Sequence, residues 1–156
     1  MFANTTVLDE GGVTNDHNGY INTAGGLVPT NGATDKVLSS LAFQVGALGR
    51  FYQPTNSLLI DAGSRNATNA GLYWFTTLTN EALEGTSMVE IGPHYVGLTS
   101  SLTAPLDGDG DGYFSYAEDA NGNGIFDAGE TDWNSYNSLF GIGSGPGLVT
   151  FTPLKP

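Results

Sequence analysis

The sequence predicts an all-β fold with very little helix, built from short strands and many tight turns. Three observations lead there. Charged residues make up only 13% of the 156 residues while glycine is frequent, at 23, a balance typical of turn-rich β proteins. Leu41, Phe43 and Val45 alternate with Ala42 and Gln44, the period-two signature of a half-buried strand. Asn/Gly punctuation recurs at Gly11-Gly12, Asn18-Gly19, Gly25-Gly26 and Asn31-Gly32. Two architectures suit such strands: a short parallel β-helix with coils of roughly 20–30 residues, or a β-sandwich. No strict internal repeat precedes residue 107, which keeps the sandwich open.

Taken in order, Thr5-Thr6-Val7-Leu8 and Tyr20-Ile21-Asn22-Thr23 are the first strand candidates. His17, in a polar loop, reads as a solvated residue. After the 41–45 strand come Phe51-Tyr52, a turn at Gln53-Pro54-Thr55-Asn56, and Leu58-Leu59-Ile60 as a short buried run closed by Asp61-Ala62-Gly63-Ser64. The aromatic run at 72–78 reads as a capping strand, with a sugar-binding platform as its functional counterpart. Glu81 and Glu84 fall on a possible short helix over 79–84 and read as solvated. His94, beside Tyr95, reads as a packed, hydrogen-bonded imidazole. The Gly-rich run at 141–147 lacks the Lys-Ser/Thr of a phosphate loop and reads as a linker. Leu148-Val149-Thr150-Phe151-Thr152 would be a last strand. Asn4-Thr5-Thr6 and Asn66-Ala67-Thr68 match the glycosylation pattern by coincidence. The expected division is a solenoid-like region over 1–104, tandem loops over 105–133, and a linker with a terminal strand over 134–156.

The strongest motif is DGDGDGYFSYAEDANGNGIFDAGETD, residues 107–132. Asp107, Asp109, Asp111, Gly112, Tyr113, Ser115 and Glu118 occupy positions 1, 3, 5, 6, 7, 9 and 12 of a calcium-binding loop of EF-hand type. Asp119, Asn121, Asn123, Gly124, Ile125, Asp127 and Glu130 repeat the series. Calcium takes six to eight oxygens, and alternate side chains on a curled loop can converge on one point. Gly at position 6 tolerates the sharp turn, Tyr113 and Ile125 lend backbone carbonyls, and Glu118 and Glu130 close each shell. Two calcium ions are therefore expected. Phe114 and Phe126, both at position 8, read as apolar pegs. Glu118 directly precedes Asp119, so paired helix–loop–helix units are excluded. A short helical turn is expected near 115–119.

The net charge is -12, from 16 acidic and 4 basic residues. None of the basic residues lies between Arg65 and Lys155, which argues against nucleic acid and anionic membranes as partners. Eight of the 16 acidic residues fall within 107–132, so the acidity is largely that of the loops. With no cysteine there are no disulfides, and no apolar stretch approaches the ~20 residues of a membrane span. Met1-Phe2-Ala3-Asn4 has neither the charged start nor the apolar run of a signal peptide, so a mature piece or fragment of a larger secreted protein is expected.

Residues 51–80, FYQPTNSLLIDAGSRNATNAGLYWFTTLTN, and 89–97, VEIGPHYVG, resemble the closing coils of right-handed parallel β-helix proteins secreted by bacteria of Planctomycetes and Verrucomicrobia type. The tandem loops are similar to those of dockerins and thrombospondin type 3 repeats. The resemblance spans about 15–135 and implies an extracellular or cell-surface setting and a solenoid end carrying a C-terminal calcium-loop appendage. It implies no activity.

No catalytic constellation is visible. The favoured expectation is a non-catalytic calcium-binding structural module, its partners being neighbouring segments of a larger protein. The alternatives are a glycan-binding or adhesive module using Tyr73, Trp74 or Trp133, and a filament subunit stacking on copies of itself.

Overall fold

The computed structural model describes residues 2–3, 16–21 and 32–136. Strand expectations at 5–8 and 148–152 and the linker at 141–147 lie outside these residues. The described chain is β-rich, in short pieces. Its strands are β1 (Phe2–Ala3), β2 (Gly19–Ile21), β3 (Lys36–Leu38), β4 (Gln44–Gly46), β5 (Gly49–Tyr52), β6 (Phe75–Thr76) and β7 (Tyr95–Val96). Two single-turn helices join them, α1 (Ala67–Ala70) and α2 (Ser115–Glu118).

β1, β2 and β3 form a parallel sheet in sequence order. Phe2 pairs with Tyr20 and Tyr20 with Val37, so equivalent positions lie one strand apart at steps of 18 and 17 residues. The turns leading into β2 and β3 are also laced together. Asp35 Oδ1 accepts from Asn18 N at 2.7 Å, Lys36 N donates to Asn18 O at 2.7 Å, and Thr34 bonds both His17 N and Asp16. Beyond β3 the pairing changes. β4–β5 and β6–β7 are separate antiparallel two-stranded sheets, and among the described residues beyond β3 the isolated Gln53–Leu78 bridge alone continues the parallel sense. Among the described residues no run of stacked coils extends over the expected solenoid region of 1–104. The physical reason lies in the glycine-rich turn after Gln44: β4 folds straight back onto β5, satisfying both backbones locally.

Tyr52 holds the centre. It is fully buried, stacks on Tyr95 with ring centroids 4.3 Å apart, and its hydroxyl accepts from Leu48 N. A Cβ at Gly46 would stand 2.5 Å from the Tyr52 ring, and one at Gly49 2.6 Å from the Tyr95 hydroxyl. These glycines let the two rings lie flat on the β4–β5 hairpin.

Several local expectations give way. The 41–45 alternation holds at Leu41 and Phe43, but Val45 is 75% exposed on the hairpin. Leu58-Leu59-Ile60 is a turn, with Leu59 fully buried and Leu58 65% exposed. No helix covers 79–84: Glu81 adopts a φ of +58° in a turn, and the helix forms earlier, at α1, ended by Gly71 with a φ of +72°. Within the aromatic run only Phe75–Thr76 is strand. The helical turn expected near 115–119 is present as α2.

Leu59 and Leu58 give a paired test of this packing. Leu59→Ala is expected to cost about 2–5 kcal/mol in urea unfolding, as a buried leucine truncation does. Leu58→Ala should stay within about 0.5 kcal/mol. Equal losses would contradict the described core.

Candidate metal centre

The two twelve-residue loops share a hydrogen-bonded path over positions 1 to 7, whereas at positions 9 to 12 the first forms α2 and the second a turn. In each, the position 1 aspartate takes the amide of position 6: Asp107 Oδ2 accepts from Gly112 N at 3.0 Å, and Asp119 Oδ2 from Gly124 N at 2.7 Å. Position 3 takes the amide of position 5, through Asp109 Oδ1 from Asp111 N and Asn121 Oδ1 from Asn123 N. Position 5 takes the amide of position 7, through Asp111 Oδ1 from Tyr113 N at 2.7 Å and Asn123 Oδ1 from Ile125 N at 2.6 Å. These successive Asx turns wind the chain around its own carboxylates and amides. The glycines at position 6 carry positive φ as expected, +93° at Gly112 and +75° at Gly124. So do those at position 4, Gly110 and Gly122, a requirement the sequence pattern contained and the loop reading did not single out.

In the first loop, carboxylate oxygens of Asp107, Asp109 and Asp111 lie within 4.8 Å of one another. Asp109 Oδ2 is buried with no hydrogen-bond partner. Burial, with the charges of Asp111 and Asp107 beside it, raises the Asp109 pKa. Ser115, at position 9, is fully buried and its hydroxyl accepts from Gly108 N. Glu118 ends α2 at 1% exposure. It is buried, but it is not part of the three-aspartate cluster.

In the second loop, Asn121 and Asn123 both donate to Asp127 Oδ2, at 2.9 and 2.8 Å, and these amides lower the Asp127 pKa. Glu130 spans the loop, accepting from Asn121 N through Oε1 and from Asp127 N through Oε2. The residues meant to lend only a carbonyl turn their side chains outward, Tyr113 at 40% and Ile125 at 61% exposure. Of the two pegs, Phe114 is half-buried and stacks on Tyr116, while Phe126 is 55% exposed and meets Trp133 in a T-shaped contact.

The loops are joined to the body more closely than an appendage would be. Trp74 Nε1 donates to the buried Asp119 Oδ2 at 2.9 Å. Tyr73 N donates to Gly122 O, and the Tyr73 ring lies where a Cβ at Gly124 would stand, 2.2 Å away. Trp74 packs edge-on against Trp133 at 5.6 Å. The first loop is held by Leu106, whose amide bonds Gly97 O and whose carbonyl bonds Ser115 N.

A second cluster was not foreseen. Glu84, read as solvated, is 3% exposed, and atoms of Glu84, Glu90 and His94 lie within 4.8 Å of one another. Burial and the adjacent Glu84 carboxylate push Glu90 up to about 8. Burial also acts to raise Glu84, but the His94 imidazole and the Glu90 carboxyl outweigh it and hold Glu84 below the usual range. Its one sequence signal is a glutamate set among apolar residues, Met88-Val89-Glu90-Ile91.

No protein-family model, no curated protein and no solved structure matches this chain.

Gly110 and Gly122 separate loop geometry from docking. Both sit at position 4 with similar φ, +77° and +68°. A Cβ at Gly110 meets nothing, whereas one at Gly122 would stand 2.3 Å from Gly71 O. Gly110→Ala should cost about 1–2 kcal/mol for the backbone conformation alone. Gly122→Ala should cost a further ~1–3 kcal/mol, because it forces backbone apart. Matching melting temperatures for the two variants would show that the second loop is not seated on Gly71.

Proposed function

We propose that this chain is a non-catalytic calcium-binding structural module of a secreted or cell-surface bacterial protein. Two calcium ions are its cofactors. The first is held by Asp107, Asp109, Asp111, Ser115, Glu118 and the Tyr113 carbonyl. The second is held by Asp119, Asn121, Asn123, Asp127, Glu130 and the Ile125 carbonyl. The observation that carries this reading is the shared winding of the first seven positions of each loop, with the same three Asx bonds at the same positions. Such winding aims alternate side chains at one point, and the donors are all oxygen, which suits calcium better than zinc. Apart from Asp119 Oδ2, which also takes the Trp74 indole N–H, each Asx-bonded oxygen in these turns retains a second lone pair for a cation.

Calcium would act here by fixing the loops against residues 71–75. The aromatic side chains favour this role over a sugar platform. Trp133 is 8% exposed, and the half-buried Tyr73 and Trp74 rings are set against Gly124 and Trp133, which leaves little open aromatic surface. The parallel β1–β2–β3 ladder, stepping at 18 and 17 residues, supports assigning that part to the end of a right-handed parallel β-helix. The natural partners are then neighbouring segments of a larger protein, or copies of this chain. Among the described residues no helix is long and apolar enough to cross a membrane.

The test is a calcium titration followed by thermal melting and limited proteolysis. Where free calcium exceeds the dissociation constant about 100-fold, each site should add ~2.7 kcal/mol. Chelator should open cleavage between Leu106 and Trp133, and Glu118→Gln should remove most of the first site's contribution. A melting temperature and cleavage pattern that ignore chelator would refute the proposal.

A further inference from the structure

We infer that Glu84, Glu90 and His94 form a second kind of metal site, one for a first-row divalent transition ion of the zinc or manganese class, separate from the calcium loops. The three side chains come from segments whose backbones are independently tied down. Glu84 N donates to Phe75 O on β6, and Ser87 N and Oγ both return to Glu84 O. Glu90 lies between Val89, whose amide bonds Arg65 O and whose carbonyl takes Gly63 N, and Ile91, whose amide bonds Leu59 O. His94 directly precedes β7, which pairs with β6. Donor atoms of all three converge to within 4.8 Å.

The second observation is what these atoms lack. The Glu84 side chain is 1% exposed, and both its carboxylate oxygens are buried without a hydrogen-bond partner. Glu90 Oε2 and His94 Nε2 are in the same state. His94 Nε2 stands 3.0 Å from Glu84 Oε1, yet the pair does not meet hydrogen-bond geometry. Atoms that approach each other without pointing at each other are arranged as ligands around a common centre are. Among the described residues no Lys or Arg pairs with either carboxylate. The His94 imidazole can offset the charge of one carboxylate, at 3.0 Å from Glu84, whereas a divalent ion offsets both at once. The donor set decides the ion. Calcium and magnesium prefer oxygen alone, whereas one imidazole with two carboxylates suits zinc, manganese or iron. His94, at 14% side-chain exposure, leaves a route for entry.

The experiment uses the full chain saturated with calcium, so that the acidic loops do not compete. Zinc is titrated by calorimetry, and cobalt by its visible absorption, which reports nitrogen coordination. One site is expected, weakened more than about a hundredfold by His94→Ala and by Glu84→Gln. His17→Ala, the other histidine, should leave it unchanged. If the Glu84 variant fails to fold, ring resonances of the wild-type histidines give the answer: zinc should move those of His94 and spare those of His17. No heat and no spectral change up to about 1 mM metal overturns the inference. So does binding that survives His94→Ala, or that moves His17 instead. Glu118→Gln distinguishes this site from the proposed calcium sites, since it should weaken calcium and leave zinc binding intact.

Discussion

The hydrogen bond from Trp74 Nε1 to Asp119 Oδ2 holds the two halves of the described chain in register. Asp119 is buried, so its charge has to be met by directed donors, and it receives three: the indole N–H and the amides of Asn123 and Gly124. The same residue closes α2 and opens the second loop. A single carboxylate thereby sets the end of a helix, the start of the second loop and the placement of an aromatic cluster. Trp133, Tyr73 and Gly124 then follow from where that indole must lie.

The body beneath is held by a different principle. Regular secondary structure is sparse, and many buried backbone groups are satisfied across loops. Residues 59, 63 and 65 exchange bonds with 89 and 91, and 73–75 with 84, 85 and 97. Such a scaffold has little of the repeating ladder that makes a sheet tolerant of local change. Its rigidity depends on a few packed side chains such as Tyr52, Leu59 and Leu98. It also explains how two glutamates come to be buried together: loops that cross and bond to one another enclose whatever side chains they carry.

The Asx-wound loops at 107–130 were legible in the sequence because such winding needs Asp, Asn and Gly at fixed short spacing, all within twelve residues. The β-rich character and α2 were legible for the same local reason. What was hidden is long-range. Nothing near Trp74 announces Asp119, 45 residues away. Glu84 looked solvated because it falls with Glu81 on a short polar-faced helix in the sequence, and the residues that meet it, Phe75, Glu90 and His94, come from elsewhere in the chain. The apolar run at 58–60 misled in the opposite sense, since a tight turn must send Leu58 outward when Leu59 points in. The parallel ladder at β1–β3 escaped a repeat search because its steps of 18 and 17 carry no repeated residues, only repeated backbone geometry.

The close approach of Gly122 to Gly71 has a consequence for how this chain can diverge. A Cβ at Gly122 would stand 2.3 Å from Gly71 O, and one at Gly71 would stand 2.9 Å from Asn121 O. Both residues already lack side chains, so enlarging one cannot be compensated by trimming the other. The second loop is therefore locked to its seat by main chain against main chain, where drift in sequence finds no slack. The first loop has open space around Gly110 and Gly112, and its close main-chain approach lies instead at Gly108, where a Cβ would stand 2.6 Å from Trp133 O. Variation in related chains should therefore be tolerated less at Gly122, Gly71 and Gly108 than at the surface of the same loops.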